Sequence, residues 1–273
     1  MTGKVSPTHR SSRPLTGDER WSGDVQLGAA VLVYALAPLA VAWLQGQPGV
    51  DVGWDFLMAL GLVATGGCAV LPLMSARWWA GRHRDPELLR LVQRLHRQLS
   101  YVMTACVLAH VVGVLVLEPR TLDYLLPTAP GYMLAGLLSL LLLAVIIATS
   151  REGPKQRWPQ ASWRRWHAAF SALALAGLIW HLVGSGFWFS GAGAGLAIAW
   201  LVGVPTGLGL YWRNRRPRGA AGPRVSAGRA AKRRVLSGLL LLLLLACAWF
   251  AWSSHSKASR EANPLPCPAG RCL

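Results

Sequence analysis

The sequence predicts an all-α polytopic membrane helix bundle, six helices forming a core and a seventh transmembrane helix following it. Three observations predict it. Some 53% of the 273 residues are apolar, only 14% are charged, and just 11 are acidic. The apolar residues come in runs long enough to cross a bilayer, which needs about 20 residues at about 1.5 Å each. The basic residues fall in every second connection between those runs.

Residues 1–25 are rich in Ser, Thr, Pro and charge and read as a disordered cytoplasmic tail. Six spans follow within 26–212, over 26–45, 54–75, 97–117, 131–149, 168–189 and 192–212. Residues 213–234 are a basic cytoplasmic loop rich in Gly, Pro and Arg. Residues 235–252, the shortest and most Leu-rich run, read as the seventh helix, and 253–273 as an external Cys-containing tail. The tail before the first run is polar and the run itself is too long for a signal core, so no cleavable signal peptide is expected. Trp21, Trp54, Trp78, Trp79, Trp163, Trp166, Trp188 and Trp212 stand at expected boundaries, where an aromatic belt belongs. No internal repeat and no Gly-rich phosphate loop is visible.

A net charge of +17 raises the question of nucleic acid, and its distribution answers against it. Arginines and lysines crowd into the first 25 residues and the connections after spans two, four and six. The alternate loops hold only Arg120. This is the positive-inside pattern. It puts the N-terminus in the cytoplasm and the C-terminus outside, in a bacterial inner (plasma) membrane, with the basic face toward anionic lipid. Cys68, Cys106 and Cys247 lie within spans as small packing residues. Cys267 and Cys272 lie in the external tail, where a disulfide is expected; a working thiol pair or a metal site is the rival reading.

The chemistry rests on histidines. His9, His83 and His255 sit in polar segments and read as surface residues. The other four share two helices: His96 and His110 on the third, His167 and His181 on the fifth. Each pair is 14 residues apart. At about 100° per residue, 14 steps return to within about 40° of the starting direction, some 21 Å further along the axis. Both histidines of each helix therefore face one side. Helices three and five run the same way through the membrane, so His96 lies level with His167 and His110 with His181. Two level pairs suit two hemes b, one near each face, each iron held low-spin by two imidazoles for electron transfer. A proton relay is the alternative; it usually employs carboxylates, and none lies deep in these spans, Asp55 being at an edge. Packing histidines are the third possibility. Arg97, Arg164 and Arg165 flank the inner pair and Arg120 the outer one. They are candidate partners for heme propionates, or ordinary topology-setting charges.

At these residues the chain resembles the ferric-reductase-like transmembrane family, which includes iron and copper reductases, NADPH oxidases and the heme-binding membrane subunit of the periplasmic methionine sulfoxide reductase system. In that family six helices carry two histidines each on the third and fifth, for two stacked hemes b. His96, His110, His167 and His181 match those positions. Ala148-Thr149-Ser150-Arg151-Glu152-Gly153 and Trp163-Arg164-Arg165-Trp166-His167 resemble its Thr-Ser turn and its entry to the fifth helix. The resemblance covers about 26–212. The chain departs from eukaryotic reductases after the sixth span: a basic loop and another span stand where a flavin and nicotinamide domain would follow. The resemblance thus implies an oxidoreductase component without its own flavin domain. Its separate electron donor would be quinol or a flavoprotein, and its acceptor a protein or a metal ion. A membrane subunit of a metal-ion reductase is an alternative within this class. A heme-free transporter or assembly factor with structural histidines is one outside it.

Overall fold

The computed structural model describes residues 17–45, 50–74, 86–151, 158–189, 191–208 and 241–256, with side chains in the first helix from 29 and in the third from 92. Most of the tail 1–25, the loop 213–234 and the cysteines Cys267 and Cys272 lie outside these residues. Among the described residues the chain is helical, without a strand. An apolar chain in lipid must satisfy its backbone within each segment, and helices do so.

The described residues include seven apolar helices. α1 is Gly17–Leu44, α2 Val52–Val70, α3 Pro86–Leu117, α4 Gly131–Ser150 and α5 Gln160–Gly184. α6 is Ala192–Leu208 and α7 Leu241–Ser256. The spans containing α2, α3, α4 and α5 are long and apolar enough to cross a membrane by length and composition; the apolar parts of α1, α6 and α7 are shorter. α1 begins at Gly17, before the expected start of span one. α5 also begins early, at Gln160, because the Trp-Arg-Arg-Trp-His segment is its first turns rather than a loop.

Local chemistry sets several ends. Asp51 caps α2, its carboxylate accepting from Gly53 N at 2.7 Å and Trp54 N at 3.3 Å. Pro130 and Pro159 stand in extended conformation immediately before α4 and α5. α5 ends at Gly184, and Gly186 takes φ +61°, a left-handed turn. This is short of the expected 189, so Trp188 and Phe189 lie beyond the helix. α6 carries a π segment over Ala199–Gly203. The Tyr34 hydroxyl reaches the carbonyls of Trp200 and Leu201 at 3.2 and 3.3 Å, and Trp200 Nε1 donates to Tyr34 O at 3.1 Å. The irregular turn is thus tied to α1 by side chains that meet carbonyls the α-helical ladder does not.

α2 is the centre of the bundle. Its apolar window is 67% buried, against 11% for α4 and for α5. α1 and α3 pack on α2, while α4 packs chiefly on α5. α7 turns Leu243, Cys247, Phe250 and Ala251 to the core, a helical stripe, and Phe250 meets Trp188 at 4.7 Å. Leu138, Leu141, Val145, Leu173 and Trp180 are exposed on α4 and α5. That apolar outer surface is what a bilayer covers.

Candidate functional site

The two histidine-bearing helices are held apart. α3 is packed by α2 and α5 by α4, and α3 and α5 make almost no close backbone approach to each other. Across the space between them the His96 and His167 rings face one another, ring centres 6.3 Å apart and planes inclined at 56°. The level pairing expected from the 14-residue spacing is therefore seen directly at this end. At the other end His110 and His181 lie within electrostatic reach of each other. All four rings are half-buried.

Backbone carbonyls orient three of the rings. His96 Nδ1 donates to Leu71 O at 3.1 Å, His110 Nδ1 to Leu57 O at 2.8 Å, and His181 Nδ1 to Tyr132 O at 3.1 Å. A carbonyl oxygen only accepts, so the ring proton sits on Nδ1 and the lone pair on Nε2. His167 is set differently. Its Nδ1 makes a long contact of 3.5 Å with the Ser150 hydroxyl, and its ring stacks on Trp163 at 4.9 Å. Trp163 Nε1 in turn donates to Thr149 O at 3.1 Å. The Thr-Ser turn and the Trp-x-x-x-His entry thereby act as one clamp joining the end of α4 to the start of α5.

Glycines make room for the other pair. A Cβ on Gly61 of α2 would lie 3.0 Å from His110 Nδ1, and one on Gly136 of α4 would lie 2.8 Å from His181 Nδ1. The two hairpins use the same device. Leu57 lends its carbonyl to His110, and Gly61, four residues on, receives the ring. Tyr132 lends its carbonyl to His181, and Gly136, four residues on, receives that ring. The residue three after each histidine, Gly113 or Gly184, packs on the side chain of the residue that lends the carbonyl. The shared pattern His-x-Val-Gly at His110 and His181 was the available sequence signal for this correspondence. The correspondence on α2 and α4 is masked because the residues that lend the carbonyls, Leu57 and Tyr132, differ in kind and the shared Gly61 and Gly136 are ordinary in apolar helices.

Fit to a metal–tetrapyrrole can be tested on these distances. Two imidazoles bound through Nε2 at about 2 Å on opposite sides of one metal hold their ring centres about 6 Å apart. His96 and His167 meet that spacing, and Nδ1 hydrogen bonding is the usual way a ligating histidine is aimed. Among the described residues no group of three or more His, Cys, Asp or Glu converges as a cage for a bare metal ion. The spacing of His96 and His167 fits one metal held between two imidazoles.

The arginines are distributed by end. Arg97, next to His96, and Arg164 and Arg165, within one turn of His167, stand at the first end. Arg120, in the 3₁₀ turn Pro119–Leu125 after α3, stands at the second. All four are exposed. His255 is exposed, as expected of it, while His9 and His83 lie outside the described residues. Trp188, assigned to the boundary belt, is buried instead among Phe187 and Phe250, and Trp163 serves His167. Asp55 stands at the edge of its span yet is fully buried.

No curated protein and no solved structure is matched by the chain. The family match includes His96, His110 and His167 and stops three residues before His181. Residues 60–178 match the family described as ferric reductase like transmembrane component, so the resemblance carried by the paired histidines holds, and the match supports a membrane component of redox, electron-transferring function.

Proposed function

We propose that the chain is a di-heme b conduit that passes electrons across the membrane, from quinol or a separate flavoprotein to a partner protein or acceptor. The observation that carries the reading is the facing of His96 and His167 at 6.3 Å across helices that do not otherwise touch closely. In this reading His96 with His167 and His110 with His181 each hold one heme b, which supplies a one-electron couple when bound. The chain's own part is orientation and exclusion. Leu71, Leu57 and Tyr132 carbonyls fix three rings through Nδ1 and leave the Nε2 lone pair of each as the ligating atom. Buried Met103, Val107, Ala174 and Leu178 lie at levels between the two pairs and keep the middle of the bundle apolar. Arg97, Arg164, Arg165 and Arg120 are cations that can serve propionates at the two ends. In this reading the His96–His167 end faces the cytoplasm and the C-terminus lies outside, which the alternation of basic loops supports. The family description also favours a second reading within this class, the membrane subunit of a metal-ion reductase.

A reduced-minus-oxidised spectrum of the purified protein tests the proposal. It should show low-spin heme b, with two hemes per chain. His110→Ala and His181→Ala should each remove, or make high-spin, the same heme. The double variant should be no worse than either, since two ligands of one iron act as a unit. Unchanged heme content in all four single histidine variants would overturn the reading, and a heme-free protein would favour a transporter or assembly factor.

A further inference from the structure

Asp55 is the one fully buried acidic side chain among the described residues. It lies in the first turn of α2, where its Oδ1 accepts from Val50 N at 3.4 Å. Its Oδ2 is buried without a hydrogen-bond partner among the described residues, as are the indole Nε1 atoms of Trp54 and Trp188. An aromatic wall closes this end: Trp54 meets Phe187 at 6.4 Å, Phe187 meets Trp188 at 5.2 Å, and Trp188 meets Phe250. The titratable groups acting on Asp55 are Asp51, at the cap of its own helix, and His255, near the end of α7.

The carboxyl group lies toward the same end of α2 as the residues that hold the second histidine pair. Leu57, which holds His110, is two residues on, about 3 Å along the axis. Asp55 itself points away from that ring, because Gly61, which receives it, lies six residues on and about 120° round the helix. The carboxyl is thus separated from the histidine pair by the body of α2, on the order of 10 Å. An ionised carboxylate with an unpartnered oxygen in an apolar interior is costly. A change of one unit charge at that distance is felt strongly there, because little water screens it. The charge that changes nearby during the proposed function is that of the His110–His181 site.

We propose that Asp55 is the proton-accepting group coupled to reduction at the His110–His181 site, with His255 as its connection to water. The inference rests on the di-heme reading. When one electron arrives from the quinol or flavin donor, Asp55 Oδ2 takes one proton from the aqueous side, forming one O–H bond, so the buried region gains no net charge. On reoxidation the proton leaves by the same path. His255 is exposed in the last turn of α7, whose Phe250 packs on Trp188 in the aromatic wall beside Asp55. Asp55 is therefore a positioning and charge-compensating residue, and touches no reacting atom.

The test is a redox titration of the full-length heme-loaded protein over a range of pH, paired with reduced-minus-oxidised infrared difference spectra. In the unaltered protein the midpoint potential of the His110–His181 heme should fall as pH rises, and a carboxylic C=O band should appear on reduction. Asp55→Asn should abolish both the band and that heme's pH dependence, leaving the other heme as it was. Asp55→Glu should keep both, with the band displaced. His255→Ala should slow proton uptake, read with a pH dye, without altering the equilibrium slope. A pH-independent potential in the unaltered protein, or no carboxyl band, overturns the inference and needs no variant to fold. Bis-imidazole spectra with that result leave the di-heme reading standing; absence of bis-imidazole spectra sinks both.

Discussion

The four histidines differ less in themselves than in what aims them. Three have Nδ1 committed to backbone carbonyls, so substitution at Leu57, Leu71 or Tyr132 cannot remove the acceptor. The sensitive neighbours are the glycines. Gly136→Ala would bring a Cβ to 2.8 Å from His181 Nδ1, a ring atom held by its hydrogen bond. It should displace the ring and weaken heme retention at the His110–His181 site by about 10- to 100-fold, the usual effect of disturbing the groups behind a ligand. Gly61→Ala, at 3.0 Å from His110, should act at the same site with smaller effect. Gly195→Ala, where a Cβ meets nothing within 4 Å, should be silent. Hemin titration of the apoprotein variants separates the three. Equal loss in all of them would mean that the glycines matter to helix packing in general and not to the rings.

The α4–α5 hairpin is the element whose ends are most clearly specified by side chains. The last carbonyls of a helix have no partner in their own ladder, and Trp163 Nε1 supplies one to Thr149 O. The same indole stacks on His167. The two roles can be parted. Trp163→Phe keeps a ring against His167 and loses the donor, costing about 1 kcal/mol. It should lower thermal stability slightly and leave the His96–His167 heme spectrum intact. Trp163→Ala removes both roles and should also perturb that heme's potential and low-spin signal. Unaltered spectra in the alanine variant would show that the stack does not position His167.

For the molecule as a whole, charge placement predicts the arrangement in the membrane. A reporter fused to the C-terminus should read outside, and one fused in the loop 213–234 should read inside. The described part of α7, Leu241–Ser256, is 16 residues and about 24 Å long, less than a hydrocarbon core of about 30 Å. The reporter result therefore bears directly on whether 235–252 crosses: a cytoplasmic signal from the C-terminus would leave six spans. With the tail outside, Cys267 and Cys272 should resist alkylation until reduced, which mass measurement checks.

The helical membrane class and the level placement of His96 with His167 were legible in the sequence, because they depend on local quantities: apolar run length and residues per turn. The 14-residue spacing alone put both histidines of each helix on one face. What holds the rings was not legible. Every residue has a carbonyl, so nothing in the letters Leu57 or Tyr132 marks it as the acceptor for a ring about 50 positions away. Gly61 and Gly136 look like any other glycine in an apolar helix until α2 is packed on α3 and α4 on α5. Asp55 reads as a boundary acid by position, and only the packing around the α2 end buries it. The sequence by itself determined a membrane helix bundle in which each of two helices carries two histidines on one face, because periodicity acts along one helix. The tertiary structure decided which helices pair and which stand apart, because that depends on how side chains of different helices fill shared space.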